Sequence, residues 1–339
     1  MEIIATVSRK TFARDKVREI VDAGATILRY NLSHGEPEEN RGKLCTAREV
    51  IAASGRRVRL LADLPGAKIR TGDFPEKEAP IEEGEIVTFR TGKESPGWKE
   101  YIPVNLEHFA IYLKVGSIFT TGDGEVAFEV THIVSPSEVR AKSLVTGTHK
   151  NFKGLNFGPL IDDLDHCNDT TRAMMDILSE AKPELVAFSF VNSKEMLRRC
   201  KAELAERFTT EWAHPLIVSK VESPKGVEHI REIIEETDWV LIARGDLGLN
   251  VPMEELALAQ KKITALCRAA AKPVIVSTQM LESSIDQYIP RRSDILDLSN
   301  AIFDGADGIM LCRETGLNDH PGHPIAVAKR IIDALTSRR

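Results

Sequence analysis

Short apolar runs rich in Val, Ile and Leu alternate along the 339 residues with longer amphipathic stretches of helical period. The runs predict strands at Ile3–Val7, Thr26–Tyr30, Val58–Asp63, Leu185–Phe190, Leu216–Val221, Trp239–Arg244, Pro273–Thr278 and Gly308–Cys312. Helical patterns follow near residues 13–22, 38–53, 168–180, 193–206, 226–236, 253–270, 292–304 and 323–336, with start signals such as Glu36-Pro37 and Pro252. Eight strand–helix units predict an α/β fold of the (β/α)8 TIM-barrel class. One segment breaks the rhythm. Residues 73–150 carry short β-like runs at Ile86–Arg90, Ile118–Thr121, Glu125–Val134 and Glu138–Val145, separated by turn residues, and predict a small all-β, barrel-like domain inserted after strand 3. Residues 1–72 and 151–339 then supply 261 residues to the barrel, near the roughly 250 typical of that fold.

Composition narrows the class. With 42% apolar and 28% charged residues the chain can bury a large core, which excludes disorder. Lys and Arg total 45 against 51 Asp and Glu, a net charge of −6 without a long basic run, so nucleic acid is not an expected partner. Cys45, Cys167, Cys200, Cys267 and Cys312 are odd in number and scattered, as free thiols of a reducing compartment are. No leader pattern opens the sequence and no 18 apolar residues run together, which points to a cytoplasmic protein with no membrane partner.

In a (β/α)8 barrel the chemistry gathers at the C-terminal strand ends. Six of the predicted strands end in polar groups: Arg29 to Gly35, Asp63 to Arg70, Ser219 to Glu222, Ala243 to Gly248, Ser277 to Glu282, and Cys312 to Thr315. Lys220 and Glu222, two apart on one strand, face the same side, and Asp246 lies one strand along. Two carboxylates with open positions beside an ammonium suit Mg²⁺ or Mn²⁺ and a transferring phosphoryl group. The plainer reading is a Lys–Glu ion pair on the barrel rim with Asp246 capping a helix. Gly245 and Gly248 are equally consistent with an anion-binding helix start and with a tight turn. His34 reads as a nucleotide contact or a solvated loop histidine, Thr278 as a reactive hydroxyl or a helix cap, and Cys312 as a packed thiol.

Arg29–Gly35 (RYNLSHG), Ile217–Glu222 (IVSKVE), Ala243–Leu249 (ARGDLGL), Pro273–Glu282 (PVIVSTQMLE), Asp304–Leu311 (DGADGIML) and Lys153–Asn156 (KGLN) together resemble the pyruvate kinase family over nearly the whole chain. The resemblance implies phosphoryl transfer from phosphoenolpyruvate to ADP with Mg²⁺ or Mn²⁺. It places the metal on Glu222 and Asp246, the phosphoryl group on Lys220 and Arg29, and the pyruvate carboxylate on the backbone of Gly245 and Asp246. Thr278 falls where a hydroxyl assists enolate protonation. Arg70, His34 and Lys153 fall on the nucleotide side. The family's potassium site maps to Asn31, Ser33, Asp63 and the Leu64 carbonyl. Lys68, standing where potassium-dependent members have Glu, implies a fixed ammonium in place of K⁺ and no K⁺ requirement. Hinges near Arg70–Gly72 and Phe152–Gly154 would let the insert close as a lid.

The departures leave alternatives open. Ser8-Arg9-Lys10 replaces the family's Gly-Pro turn after strand 1, and Cys312-Arg313 replaces Ser-Gly after strand 8. These cations suggest, as an alternative, a different phosphoryl acceptor or decarboxylase or lyase chemistry on a pyruvate-like acid. A non-catalytic binding protein on the same fold is a third reading. The sequence ends after the eighth helix, so the resemblance implies the catalytic apparatus without the family's C-terminal effector domain, and a homo-oligomer would assemble through barrel or insert surfaces.

Overall fold

The computed structural model describes residues 1–157, 162, 164–212 and 214–337. Two compact units make up the chain: Met1–Gly66, Asp165–Gly248 and Glu254–Arg339 form one, and Ala67–Leu164 with Leu249–Met253 the other. Strands β1 (Glu2–Val7), β2 (Ile27–Asn31) and β3 (Arg59–Asp63) belong to the first unit, and β4 (Glu78–Ile81), β5 (Ile86–Thr91), β6 (Ile102–Val104), β7 (Ile118–Thr121), β8 (Val126–Ser135), β9 (Glu138–Ser143), β10 (Gly147–Lys150) and β11 (Leu155–Asn156) to the second. The first unit resumes with β12 (Leu185–Phe188), β13 (Leu216–Val221), β14 (Trp239–Ala243), β15 (Val274–Ser277) and β16 (Gly308–Leu311).

In the first unit the eight strands close in the order β1-β16-β15-β14-β13-β12-β3-β2, every neighbour parallel, which is the (β/α)8 barrel expected. Ile4, Ile27, Leu61, Leu185, Ala187, Val218, Leu241, Ile275 and Met310 fill its interior as a buried apolar layer. Side chains alternate along a strand, so the residues two positions further on also face inward. Those residues above the apolar layer are Thr6, Arg29, Asp63, Ser189, Lys220, Ser277 and Cys312, with Ala243 the one apolar member: a largely polar layer directly above an apolar one.

The helices start where local chemistry allows. α1 (Arg14–Asp22) lies between β1 and β2; α2 (Pro37–Ser54) opens on proline, carries Glu38 and Glu39 in its first turn, and ends at Gly55 in the left-handed conformation. α3 (Asp169–Asp176) is capped by Asn168, which accepts from Thr171 N at 3.1 Å; α4 (Leu178–Ala181) continues it after a break at Ile177, where the sequence predicted one helix. α5 (Lys194–Ala205) is capped by Ser193 and α6 (Pro224–Glu228) by Ser223, with α7 (Ile230–Glu236) following a break at His229. α8 (Arg244–Asn250) begins immediately after β14; α9 (Leu256–Ala269), α10 (Arg292–Asp304), α11 (Arg313–Gly316) and α12 (Gly322–Thr336) complete the set. No helix among the described residues is long and apolar enough to cross a membrane.

Four barrel strands stop short of their predicted ends, each for a backbone reason. Phe190 has φ +53° and Thr278 φ +75°, incompatible with extended chain, Arg244 already belongs to α8, and Cys312 leaves the extended region with ψ −86°.

The second unit holds a six-stranded sheet, β11-β7-β8-β9-β5-β6, and the pair β10-β4. The short strands β4, β6, β10 and β11 were not legible as runs, being two to four residues long. Phe89, Phe119 and Phe128 meet with centroids 5.0 to 5.4 Å apart at the centre of its core. His149 is buried beneath it, with Nε2 3.2 Å from Thr71 Oγ1 and no hydrogen-bond partner at Nδ1. Burial, and then Lys153, pull its pKa down to about 4. The unfolded chain takes up a proton that the folded chain refuses, so this contribution is complete above about pH 6.5 and declines as pH falls toward 4. Stability is therefore expected to fall by about 3 kcal/mol across that window. A urea midpoint measured from pH 7 to pH 4 shows it, and His149→Gln flattens that part of the profile; an unchanged slope in the variant rules it out.

Candidate active site

Arg29 carries its guanidinium up from β2 to Asp63 at the end of β3: Nε and Nη2 donate to Oδ2 at 2.9 and 2.5 Å, while Nη1 reaches Thr6 Oγ1 at 3.2 Å. Across the barrel, Lys220 Nζ stands 3.1 Å from Asp63 Oδ1 and 3.2 Å from Glu222 Oε1, and donates to Ser189 Oγ at 2.8 Å. The Ser189 hydroxyl in turn donates to the Leu64 carbonyl at 2.8 Å. Asp63 thus bridges two cations, and Lys220 bridges two carboxylates. All four charged groups are buried.

Burial of this kind is tolerated only when charges are paired. Burial alone would raise the Asp63 carboxyl, but Lys220 and Arg29 outweigh it and hold it below the usual range. Burial alone would lower Lys220; Asp63 and Glu222 outweigh it and keep the ammonium charged. Glu222 is different. Burial pushes it above the usual carboxylate range, Lys220 opposes, and Asp246 and Asp63 add repulsion. Negative charge is therefore in excess at this end of the cluster, where Glu222 is buried and Asp246 half-buried.

That excess is what a hard divalent cation would relieve. Among the described residues, no group of three or more His, Cys, Asp or Glu side chains is arranged to hold a metal. An ion here would take two carboxylate ligands and complete its shell from substrate or water, the usual habit of Mg²⁺. Asp246 is the third residue of α8, within its first turn, so it is not the cap the plainer reading required. The residues present fit the group.

Gly245 sets the spacing of the next strand end. A Cβ there would lie 3.1 Å from Thr278 Cγ2, so glycine lets the Thr278 side chain approach the α8 backbone. Thr278 and Gln279 follow β15 in consecutive left-handed conformations, φ +75° and +55°, and Thr278 caps no helix.

The potassium-type positions are engaged internally. Asn31 Oδ1 accepts from Ser33 N at 3.0 Å, Leu64 O is taken by Ser189, and the Asp63 charge is shared by Arg29 and Lys220. His34 is exposed on the loop after β2, where its carbonyl accepts from Asn40 Nδ2 at 3.0 Å. Arg70, Lys153 and Lys68 belong to the second unit. There Arg70 and Gly154 pair as a bridge, Arg70 Nη1 donates to Phe152 O at 3.1 Å, and Lys153 meets Glu125 at 2.9 Å.

The sequence matches the family described as pyruvate kinase, barrel domain, over residues 1–325. The chain belongs to the pyruvate kinase family. It is 33% identical to a pyruvate kinase of Thermotoga maritima over 97% of its own length and 70% of the relative's. It is 32% identical to one of Hypocrea jecorina, over 95% of this chain and 60% of that one. A crystal structure of a pyruvate kinase from Cryptosporidium parvum superposes with a TM-score of 0.89 at 28% identity, covering 99% of this chain and 69% of that chain.

Against that family background, four supporting residues had no role assigned from the sequence, although Arg244 and Glu314 lay within the polar strand ends. Ser189 continues the inward alternation from Ala187, a signal that was available. Phe190 donates its N–H to Glu222 Oε2 at 2.7 Å from a left-handed conformation that no pattern announces. Glu314, buried, accepts from the backbone N–H of Met280, Leu281 and Cys312 and so ties the end of β15 to the end of β16. Arg244 binds the carbonyls of Ser277, Thr278 and Gln279 while Asp297 holds it from behind at 2.8 Å. Arg244→Ala leaves these carbonyls and Asp297 without their donor, and is expected to destabilise the barrel by about 1–3 kcal/mol. A urea midpoint equal to that of the parent protein counts against this role.

The turn after β1 is tied to the segment Arg313–Asp319. Ser8 Oγ donates to the Gly316 carbonyl, Ser8 and Thr11 bond each other, and Lys10 pairs with Asp319 at 2.8 Å and donates to Leu317 O at 2.8 Å. Arg313 pairs with Glu282 at 3.2 Å.

Proposed function

We propose that the chain catalyses metal-dependent phosphoryl transfer from phosphoenolpyruvate to ADP, giving pyruvate and ATP. The observation that carries this reading is the buried Arg29–Asp63–Lys220–Glu222 chain at the C-terminal strand ends, with Asp246 adding negative charge beside Glu222. Phosphoryl transfer needs fixed positive charge around oxygens whose charge shifts during the reaction. Asp63 holds Arg29 and Lys220 in position before substrate arrives, so little reorganisation is left for the reaction itself. Glu222 and Asp246 would hold Mg²⁺ or Mn²⁺, which when bound supplies charge stabilisation to the phosphoryl and enolate oxygens. Lys220 neutralises the group in transit and Arg29 orients it. The Gly245–Asp246 backbone receives the carboxylate of the acid. Thr278, held close to Gly245, directs a proton to the enolate carbon through its hydroxyl or a bound water. Arg70, His34 and Lys153 are the residues this reading assigns to the nucleotide.

Two of the cations behind the alternative acceptor reading, Lys10 and Arg313, already have carboxylate partners, which favours ADP as the acceptor. The test supplies phosphoenolpyruvate, Mg²⁺ or Mn²⁺ and a panel of nucleoside diphosphates, with pyruvate and triphosphate measured separately. Both products in equal amount support the proposal; pyruvate or CO₂ without triphosphate replaces it with the alternative acceptor or lyase chemistry. The internal engagement of Asp63, Leu64 and Asn31 supports K⁺ independence, and equal turnover in Na⁺ and K⁺ buffers is expected; turnover lost in Na⁺ contradicts it.

A further inference from the structure

The backbone that follows β15 is held from two sides by opposite charges. Thr278 and Gln279 stand at φ +75° and +55°, and for a β-branched residue such as Thr278 the left-handed region is a steric outlier. On the carbonyl side, Arg244 Nε donates to Ser277 O at 3.2 Å and Thr278 O at 3.1 Å, and Nη2 donates to Thr278 O at 2.6 Å and Gln279 O at 3.1 Å. On the amide side, Glu314 Oε1 accepts from Met280 N at 2.9 Å and Leu281 N at 3.3 Å, while Oε2 accepts from Cys312 N at 2.6 Å. A guanidinium on the carbonyls and a carboxylate on the amides each match the polarity that the turn presents. A turn in this conformation persists only while its surroundings enforce it.

Both charges are themselves anchored. Arg244 opens α8, and Asp297 on α10 grips it with both oxygens, Oδ1 at 2.9 Å from Nη1 and Oδ2 at 2.8 Å from Nη2. Glu314 is buried in α11, immediately after β16. Helices α8, α10 and α11 thus converge on one turn. The first turn of α8 also contains Gly245, and a Cβ there would stand 3.1 Å from Thr278 Cγ2 and 3.5 Å from Thr278 Oγ1, so the Thr278 side chain lies against the helix start. Among the described residues nothing bonds the Thr278 hydroxyl, so its aim follows from the backbone conformation that sets its rotamer.

We infer that Arg244 and Glu314 are positioning residues for the proton-transfer step, holding Thr278 where its hydroxyl meets the enolate; the inference rests on the phosphoryl-transfer reading above. In that step the π pair of the enolate carbon–carbon double bond takes a proton delivered at the Thr278 hydroxyl. A methyl C–H bond forms, the enolate C–O bond becomes the carbonyl of pyruvate, and the hydroxyl regains its proton from water. Arg29 and Lys220, assigned to the phosphoryl group, bond to none of the atoms that hold this turn. Loosening the clamp therefore moves the proton donor and leaves the phosphoryl cations in place. A misplacement of about 1 Å is enough to cost on the order of 10²-fold in a step that depends on alignment.

The experiment measures two rates on the whole chain and on Arg244→Lys and Glu314→Gln. One is triphosphate formation from phosphoenolpyruvate and ADP with Mg²⁺; the other is deuterium entry into the methyl group of pyruvate in D₂O with Mg²⁺ and ATP, followed by NMR. Deuterium entry is expected to fall about 10²-fold in each variant while triphosphate formation falls less than about tenfold. Losses in equal proportion, as from a smaller folded fraction, or no loss in either rate, overturn the inference. If Arg244→Lys does not fold, Asp297→Asn, which loosens Arg244 from behind without touching the turn, is expected to show the same split. Amide exchange of Met280 and Leu281, read by mass on substrate-free protein, should quicken in Glu314→Gln, and unchanged protection also overturns the clamp. A parent protein that makes no triphosphate brings down the phosphoryl-transfer reading and this inference with it; an active parent whose variants lose both rates alike brings down this inference alone.

Discussion

Lys220→Ala is expected to lower turnover by about 10²–10³ while destabilising the barrel by about 3–5 kcal/mol. Both effects come from one ammonium. Lys220 lies between Asp63 and Glu222, 3.1 and 3.2 Å away, and its side chain is only 10% exposed, so its removal leaves buried negative charge facing the substrate's phosphoryl group. Arg29 still partners Asp63, which keeps the destabilisation within the range for breaking one buried pair. Steady-state kinetics at saturating phosphoenolpyruvate and a urea titration measure the two effects separately. Undiminished turnover in a folded Lys220→Ala protein sinks the proposed mechanism.

The second substitution separates catalysis from stability in the opposite sense. Glu222→Gln is expected to weaken Mn²⁺ binding and turnover by about 10–100-fold, yet to leave the urea midpoint at neutral pH equal to or above that of the parent. Burial and its acidic neighbours raise the Glu222 carboxyl, so at neutral pH its ionisation opposes folding. Between the ordinary Glu pKa and the raised folded value the native state binds more protons than the unfolded chain, and stability from this group falls as pH rises through that window. The advantage of the glutamine variant should therefore be largest at neutral pH and shrink as pH falls toward the ordinary Glu range. Lys220→Ala and Glu222→Gln both reduce activity, but only the first reduces stability. A Glu222→Gln protein with a clearly lower neutral midpoint would show that the carboxylate is a structural partner of Lys220 above all, the ion-pair reading that spacing alone allowed.

Much of this was legible before any coordinates. Alternating apolar and helical runs identified the barrel because parallel strands buried on both faces are nearly continuous in Val, Ile and Leu. The same alternation put Lys220 and Glu222 on one side, since strand side chains repeat every two residues. What periodicity could not supply is contact between strands distant in sequence. Asp63 read as a member of an ion site, whereas the fold makes it the carboxylate shared by Arg29 and Lys220, 34 positions before it and 157 after it from the site's own strands.

Local pattern was also silent on backbone conformation. Phe190, Thr278 and Gln279 read as ordinary strand ends, and only neighbours from elsewhere in the chain, Glu222 and His166 for the first and Arg244 for the others, hold them in left-handed conformations. By itself, then, the sequence determined the fold class and which residue types line the barrel mouth, because both follow from short-range periodicity. The tertiary structure decided which charge pairs with which and where the backbone is strained, because those depend on long-range closure of the barrel.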